Sequence, residues 1–177
     1  MECIKILTDE EFGIKPIEFN NPKIRNGARG IIINEDGKLA IFNKVNKNEY
    51  KLPGGGIKEG ETPEEAFKRE ALEETGCEIE IIKCLGTIEE HKSQENFKQI
   101  SYLFIAKVIR NNNKCNFTEK EKNEGARLLW VDENEAINLV KNCIDSIKAS
   151  EYENVYHTKF IVKRDTYILE EYINNKN

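Results

Sequence analysis

Residues 55–77 read GGIKEGETPEEAFKREALEETGC, and the rest of the chain is organised around them. Thr62-Pro63-Glu64-Glu65 puts a threonine at a helix N-cap, proline at the first helical position and glutamate at N3, the pattern of a reciprocal capping box. Gly76 supplies the C-terminal stop, so the spacing predicts a helix over 63–75. Ahead of it stand Pro53 and the triplet Gly54, Gly55 and Gly56, a backbone free for positive φ and for close approach of another group. Taken alone, such a triplet also fits a plain turn.

On that helix Glu70, Glu73 and Glu74 are related by i, i+3 and i+4 and project from one side. Like charges so placed repel by roughly a few tenths of a kcal/mol per pair. Spacing sets Arg69 off to one side of them. The three acids border the apolar stripe of Ala66, Phe67 and Ala71 instead of opposing it. Two readings stand: a solvated outer face, or acids directed at the body of the protein that need a counter-charge. Hard carboxylate oxygens suit Mg²⁺ or Mn²⁺. The glycine turn offers a backbone carbonyl as a further oxygen ligand and room for a phosphate. Water polarised by such a cation attacks phosphorus, so the second reading implies phosphoanhydride hydrolysis.

Composition narrows the classes. The chain has 177 residues, 38% hydrophobic and 33% charged, which fits one globular domain over 1–177. A net charge of −5 argues against binding nucleic acid by neutralising its phosphates and favours a small nucleotide drawn in by bound cations. Five cysteines, with no CxxC pair, give neither a disulfide framework nor a zinc site. The N-terminus lacks the parts of a signal peptide, and no run reaches the ~20 apolar residues of a membrane span. The expectation is a cytoplasmic protein with no membrane partner; an oligomer is left open.

The flanking sequence reads as interleaved strands and helices, an α/β (α+β) body. Residues 1–23 form a short strand or arm. IRNGARGIIIN (24–34) and KLAIFNKV (38–45) read as two strands of a hairpin turned at Glu35-Asp36-Gly37. A strand begins at Cys77 and resumes after Gly86, 99–109 is the most apolar strand of the second half, and 110–125 is a polar loop. Ala126 to Val131 is a further strand, Asp132 an N-cap, Glu133 to Lys141 a helix, and 157–173 an amphipathic C-terminal helix.

The stretch resembles the signature box of the Nudix hydrolases, G-x5-E-x7-REUxEExGU with U a bulky apolar residue. Gly55, Glu61, Arg69, Glu70, Glu73, Glu74 and Gly76 fill every fixed position, and the small residues Ala71 and Cys77 take the U positions. The resemblance implies a Nudix-like mixed β-sheet sandwiched between helices. It implies Mg²⁺, with Mn²⁺ as an alternative, held by the Gly55 carbonyl and by Glu70, Glu73 and Glu74. Arg69 would orient one glutamate, and Glu61 would brace the loop against the helix. A later acid often serves as ligand or general base in the family; Glu124 is the candidate here and Glu121 the reserve. The implied activity is cleavage of a nucleoside diphosphate linked to another group, or of a nucleoside triphosphate. The alternative is a module that senses a nucleotide without turnover.

The resemblance leaves the substrate open. The window 90–94, about sixteen positions after the box, reads EHKSQ and carries neither the proline nor the tyrosine that marks particular subfamilies. Tyr50, Lys51 and Phe42 lie near the glycine turn as candidates to stack on a base or hold a phosphate, although a strand tyrosine is more often packing. His91 is a candidate proton shuttle or an ordinary exposed histidine.

Overall fold

The computed structural model describes residues 1–175. Its strands are β1 (Cys3–Thr8), β2 (Lys23–Ile33), β3 (Leu39–Lys44), β4 (Glu49–Lys51), β5 (Gly54–Gly56), β6 (Cys77–Lys92), β7 (Phe97–Asn111) and β8 (Ala126–Val131). The helices are α1 (Pro63–Thr75), α2 (Glu119–Asn123), α3 (Glu133–Asn142) and α4 (Val155–Asn174). All eight strands join one mixed sheet in the order β1-β6-β7-β2-β3-β4, with β5 on β2 and β8 on β3. The expected sandwich of a mixed sheet between helices is what forms.

Alternation along the strands decides which helix covers which face, because successive side chains point to opposite sides. On β2, Ile31 joins one apolar cluster and Ile32 the other; on β7, Leu103 and Phe104 divide the same way. The first cluster takes Ala136 and Val140 of α3 with Phe160, Ile168 and Leu169 of α4. The second takes Ala66, Phe67 and Ala71 of α1, with Phe67 stacked on Phe104 at 5.5 Å between ring centroids. The apolar stripe of α1 therefore packs down on the sheet, and the glutamates that border it are brought to the sheet's edge of that contact.

The hairpin expected from 24–45 is reduced to a corner. Of β2 and β3 only Ile33 and Leu39 stand in register as partners, although Asn34 and Lys38 close the intervening turn with a 3.0 Å hydrogen bond. β2 instead pairs in parallel with β7 from Lys23 to Ile33, and β3 pairs with β8 from Leu39 to Lys44. The strand after Cys77 is continuous to Lys92 and takes up its irregularities as register shifts, one of them at Gly86 with φ +116. The polar loop also holds an element of its own, the short α2, opened by a second capping box between Thr118 and Glu121. Residues 1–8 enter the sheet as an edge strand parallel to β6, and Leu7 is fully buried. No described helix is long and apolar enough to cross a membrane.

Gly30 sits where β2 and β7 press together, and a β-carbon there would run into the carbonyl of Phe104. Gly30→Ala is expected to destabilise the fold by about 2 kcal/mol or more, since a packed sheet yields little. For a chain of this size that is a fall in Tm of roughly 4–8 °C. Thermal unfolding followed by circular dichroism checks it, and an unchanged Tm refutes the close packing.

Candidate active site

α1 starts and stops where its sequence dictates. The Thr62 hydroxyl accepts from the Glu65 N–H, the Thr62 N–H donates to the Glu65 carboxylate, and Gly76 ends the helix at φ +70. The glycine triplet is β5, paired antiparallel with Gly27–Arg29 of β2 and laid along the acidic side of α1. Gly54, at φ +141, donates its N–H to Glu74 Oε2 at 2.7 Å. A β-carbon on Gly55 would lie 2.5 Å from the Glu70 carboxyl carbon. Only a bare backbone approaches the carboxylates this closely.

Arg69 is the hub of the outer part of the site. Its Nε donates to Glu61 Oε1 at 2.6 Å and its Nη2 to Glu61 Oε2 and to the Gly56 carbonyl, both at 2.9 Å. Its Nη1 donates to Glu70 Oε1 at 2.5 Å and reaches Glu73 Oε2 at 3.4 Å. Glu61 also accepts from the Lys58 N–H; the Arg69 hydrogen bonds and that N–H bring its carboxyl down to about 2. One guanidinium thus ties the loop to the helix and partly neutralises Glu70 and Glu73, a role that the spacing of Arg69 alone did not reveal.

Glu74 is in a different situation, only 2% exposed. Burial pushes its carboxyl up to about 8, aided by the charge of Glu70 and opposed by Lys51 and the Gly54 N–H. Lys51 Nζ stands 3.9 Å from Glu74 Oε1 and 4.9 Å from the centroid of the Phe42 ring. Lys51 therefore lines the cleft, while the fully buried Phe42 ring lies behind it and outside the lining. Tyr50, its neighbour on β4, points the other way, as strand alternation requires, and borders a separate groove with Asn138 and Asn142 of α3.

The later acids also separate. Glu121 lines the cleft opposite the box, its carboxylate accepting from the Thr118 N–H at 2.7 Å. Glu124 is buried outside that lining, 2.8 Å from Lys44 Nζ and accepting from the Ser150 hydroxyl at 2.6 Å. Against the pull of burial, those two partners hold its carboxyl below the ordinary range. The turn of α2 carries Glu121 into the cleft lining and Glu124 to Lys44, itself a residue of that lining. His91 lies outside the cleft lining and bonds Glu89 at 2.7 Å.

The cleft encloses about 320 Å³. Beyond the box it is lined by side chains that sequence reasoning missed, among them Arg25, Arg29, Lys92, Gln99 and Arg164. The local pattern singles out neither arginine: Arg29 shares its strand with Arg25, and Arg164 stands between Lys163 and Asp165 on an amphipathic helix. Among the described residues no three acid, histidine or cysteine side chains stand at metal-ligand spacing; Arg69 and the Gly54 N–H hydrogen-bond to the glutamate oxygens, and Lys51 stands 3.9 Å from Glu74. The donor set nevertheless fits a hard divalent cation. It consists of carboxylate oxygens, a bare Gly55 backbone lying directly against the Glu70 carboxylate, and a buried acid whose ionisation calls for nearby positive charge.

A family model, the NUDIX domain, matches residues 23–152. The chain belongs to the Nudix family. A MutT-like protein of Streptomyces ambofaciens is 33% identical over 73 residues, 41% of this chain and 47% of that protein. The chain thus spans about half the length of that relative. An RNA pyrophosphohydrolase of Hydrogenovibrio crunogenus is 31% identical over 117 residues, 58% of this chain and 70% of that protein. Among solved structures, a NUDIX hydrolase from Nitrosomonas europaea superposes with a TM-score of 0.62 at 16% identity, covering 88% of this chain and 92% of its own. That likeness shows the Nudix fold.

The raised carboxyl of Glu74 sets a pH dependence. Folded Glu74 keeps its proton up to about 8, whereas unfolded it releases it near 4.5. Its contribution to stability is therefore complete below 4.5 and is lost as pH rises toward 8. In the presence of a chelator, denaturant unfolding between pH 5 and 8 should show the wild type losing stability relative to Glu74→Gln as pH rises. A constant difference across that window rejects the assignment.

Proposed function

We propose that this Nudix-family chain is a divalent-cation-dependent hydrolase of a phosphoanhydride bond. Its substrate is a nucleoside diphosphate linked to another group, with a nucleoside triphosphate as the nearest variant. The observation that carries this reading is the bare Gly54–Gly56 backbone laid against Glu70 and Glu74 at the mouth of a cleft rich in cations. The names of relatives such as the RNA pyrophosphohydrolase support the same reaction class.

Glu70, Glu73, Glu74 and the Gly55 carbonyl would hold Mg²⁺, or Mn²⁺ in its place. The bound cation would supply positive charge to the diphosphate and activate water at neutral pH. Arg69 orients Glu70 and Glu73 and, through Glu61 and the Gly56 carbonyl, holds the loop at a fixed distance from the helix. Lys51, 3.9 Å from Glu74, would supply positive charge to a phosphate oxygen of the substrate. Glu121, in the cleft lining, would take a proton from water, with Glu124 held by Lys44 and Ser150 in a supporting role. Five free cysteines, two of them exposed, agree with a reducing cytoplasm.

Purified protein with Mg²⁺ is expected to release product from at least one member of a panel. The panel comprises ADP-ribose, nucleoside triphosphates including 8-oxo-dGTP, dinucleoside polyphosphates, nucleotide sugars and a 5′-triphosphorylated RNA oligonucleotide. Glu73→Gln and Glu74→Gln should each lower kcat by about a hundredfold or more, and Glu121→Gln should cost more than Glu124→Gln. Metal-dependent binding without release from any member supports a nucleotide sensor instead. Full activity in both box variants removes these glutamates from the reaction.

A further inference from the structure

The cleft has two unlike walls. α1 presents Glu70, Glu73 and Glu74, while the floor facing them carries Arg29 of β2, Lys92 of β6, Gln99 of β7 and Arg164 of α4. His157, Ile161 and Arg164 recur on α4 at spacings of four and three, so one helix face forms this part of the cavity. Arg164 lies beyond residue 152, where the family match ends, so membership of the family does not account for it.

The floor carries more positive charge than its own acids satisfy. Arg164 donates from Nε to Asp165 Oδ1 at 2.7 Å and from Nη1 to Glu90 Oε2 at 2.8 Å, and Lys92 Nζ pairs with Glu90 Oε1 at 3.3 Å. The other Asp165 oxygen accepts from the Leu52 N–H at 2.8 Å. Asp165 is thereby committed; Glu90 Oε1 lies within ion-pair range of Lys92 but has no hydrogen-bond partner, so two acids face the three cations Arg29, Lys92 and Arg164. Arg29 remains, only 5% exposed, and among the described residues its guanidinium has no hydrogen-bond partner or carboxylate within ion-pair distance. Its Nε and the Nη2 of Arg164 are buried and unpartnered. Burying an unpaired ion is unfavourable, which favours sites where a ligand completes the pairing. Burial and the charge of Arg164 bring the Arg29 guanidinium down to about 10, consistent with a missing anion.

The floor is also poorly suited to a base. No phenylalanine, tyrosine or tryptophan is among the described residues lining the cleft, so no such ring is available for stacking. Recognition at this end is by charge, and planar guanidinium groups match phosphate oxygens in pairs.

We propose that Arg29 and Arg164, with Lys92 and Gln99 beside them, form a second oxyanion seat, and that the substrate carries a further phosphate on the group remote from the bond that is cleaved. This rests on the hydrolase reading above and narrows its substrate class. The competing source of the same chemistry is the second phosphoryl group of the cleaved diphosphate itself.

Calorimetric titration without metal, using adenosine 3′,5′-bisphosphate, ADP and AMP as probes, separates the two sources. ADP bound as tightly as the bisphosphate would assign the seat to the second phosphoryl group of the diphosphate and overturn the proposal. Wild-type protein is expected to bind the bisphosphate at least tenfold more tightly than AMP. Arg29→Met should lower bisphosphate affinity at least fivefold more than AMP affinity, and Arg29→Lys should restore part of the preference. A melting curve for each variant confirms that it is folded. Equal affinity of the wild type for both probes overturns the seat. An equal loss for both probes in Arg29→Met overturns the remote-phosphate assignment, since Arg29 then holds the phosphate common to both. Failure of the hydrolase reading shows separately, as a protein that prefers the bisphosphate yet releases product from no substrate of the panel.

Discussion

The site depends on the close approach of a side-chain-free strand to the acidic flank of a helix. Gly54 donates its N–H to Glu74, and Gly55 leaves no room for a β-carbon beside Glu70. The rest of the fold secures that approach. The Thr62 capping box fixes where α1 begins, the stacking of Phe67 on Phe104 fixes its height above the sheet, and pairing with β2 fixes the glycines. A one-residue slip of β2 would exchange Ile31 and Ile32 between the two apolar clusters. Both cores thus lock the register that brings Gly54 and Gly55 to the carboxylates.

That approach has an electrostatic consequence. Three carboxylates on one helix side share a single guanidinium, and Arg69 reaches Glu70 and Glu73 but has no hydrogen bond to Glu74. Glu74 carries most of the desolvation, with a backbone N–H and a lysine 3.9 Å away as its compensation. Loop and helix are rigidly joined while the acidic wall stays under-neutralised. Such a wall gains from a cation supplied from outside, and strict compensation within the chain would remove that gain.

What was legible in the sequence is what local physics writes there. α1 runs from Pro63 to Thr75 because its cap, its proline and its terminal glycine are adjacent in the chain, and β8 runs from Ala126 to Val131 because its neighbours on both sides break the pattern. The same capping signal at Thr118 and Glu121 opens α2, but five residues without apolar periodicity do not stand out as a helix. Pairing choice is non-local: the Glu35-Asp36-Gly37 turn is visible, whereas β2's preference for β7 depends on residues some seventy positions away. The candidate site divides similarly. The box residues share one helix and one loop and could be read together, while Glu121, Arg29 and Arg164 meet the box only through the sheet.

The two ends of the chain, for which the sequence offered only an arm and a helix, act on the cleft together. Buried Asp9, at the end of β1, accepts from the Ser93 N–H and hydroxyl on one side and from the Tyr156 hydroxyl on the other. It thereby joins the end of β6 to the first turn of α4. Lys92 immediately precedes Ser93, and His157 follows Tyr156; their side chains lie 3.1 Å apart, and His157 is held by Glu95 at 2.8 Å. The register of α4 set at that junction carries Arg164, two helical turns further on, to Glu90 on the cleft floor. Asp9, just past an edge strand distant from the box, thus ties together the two segments that bring Lys92 and Arg164 to the cleft.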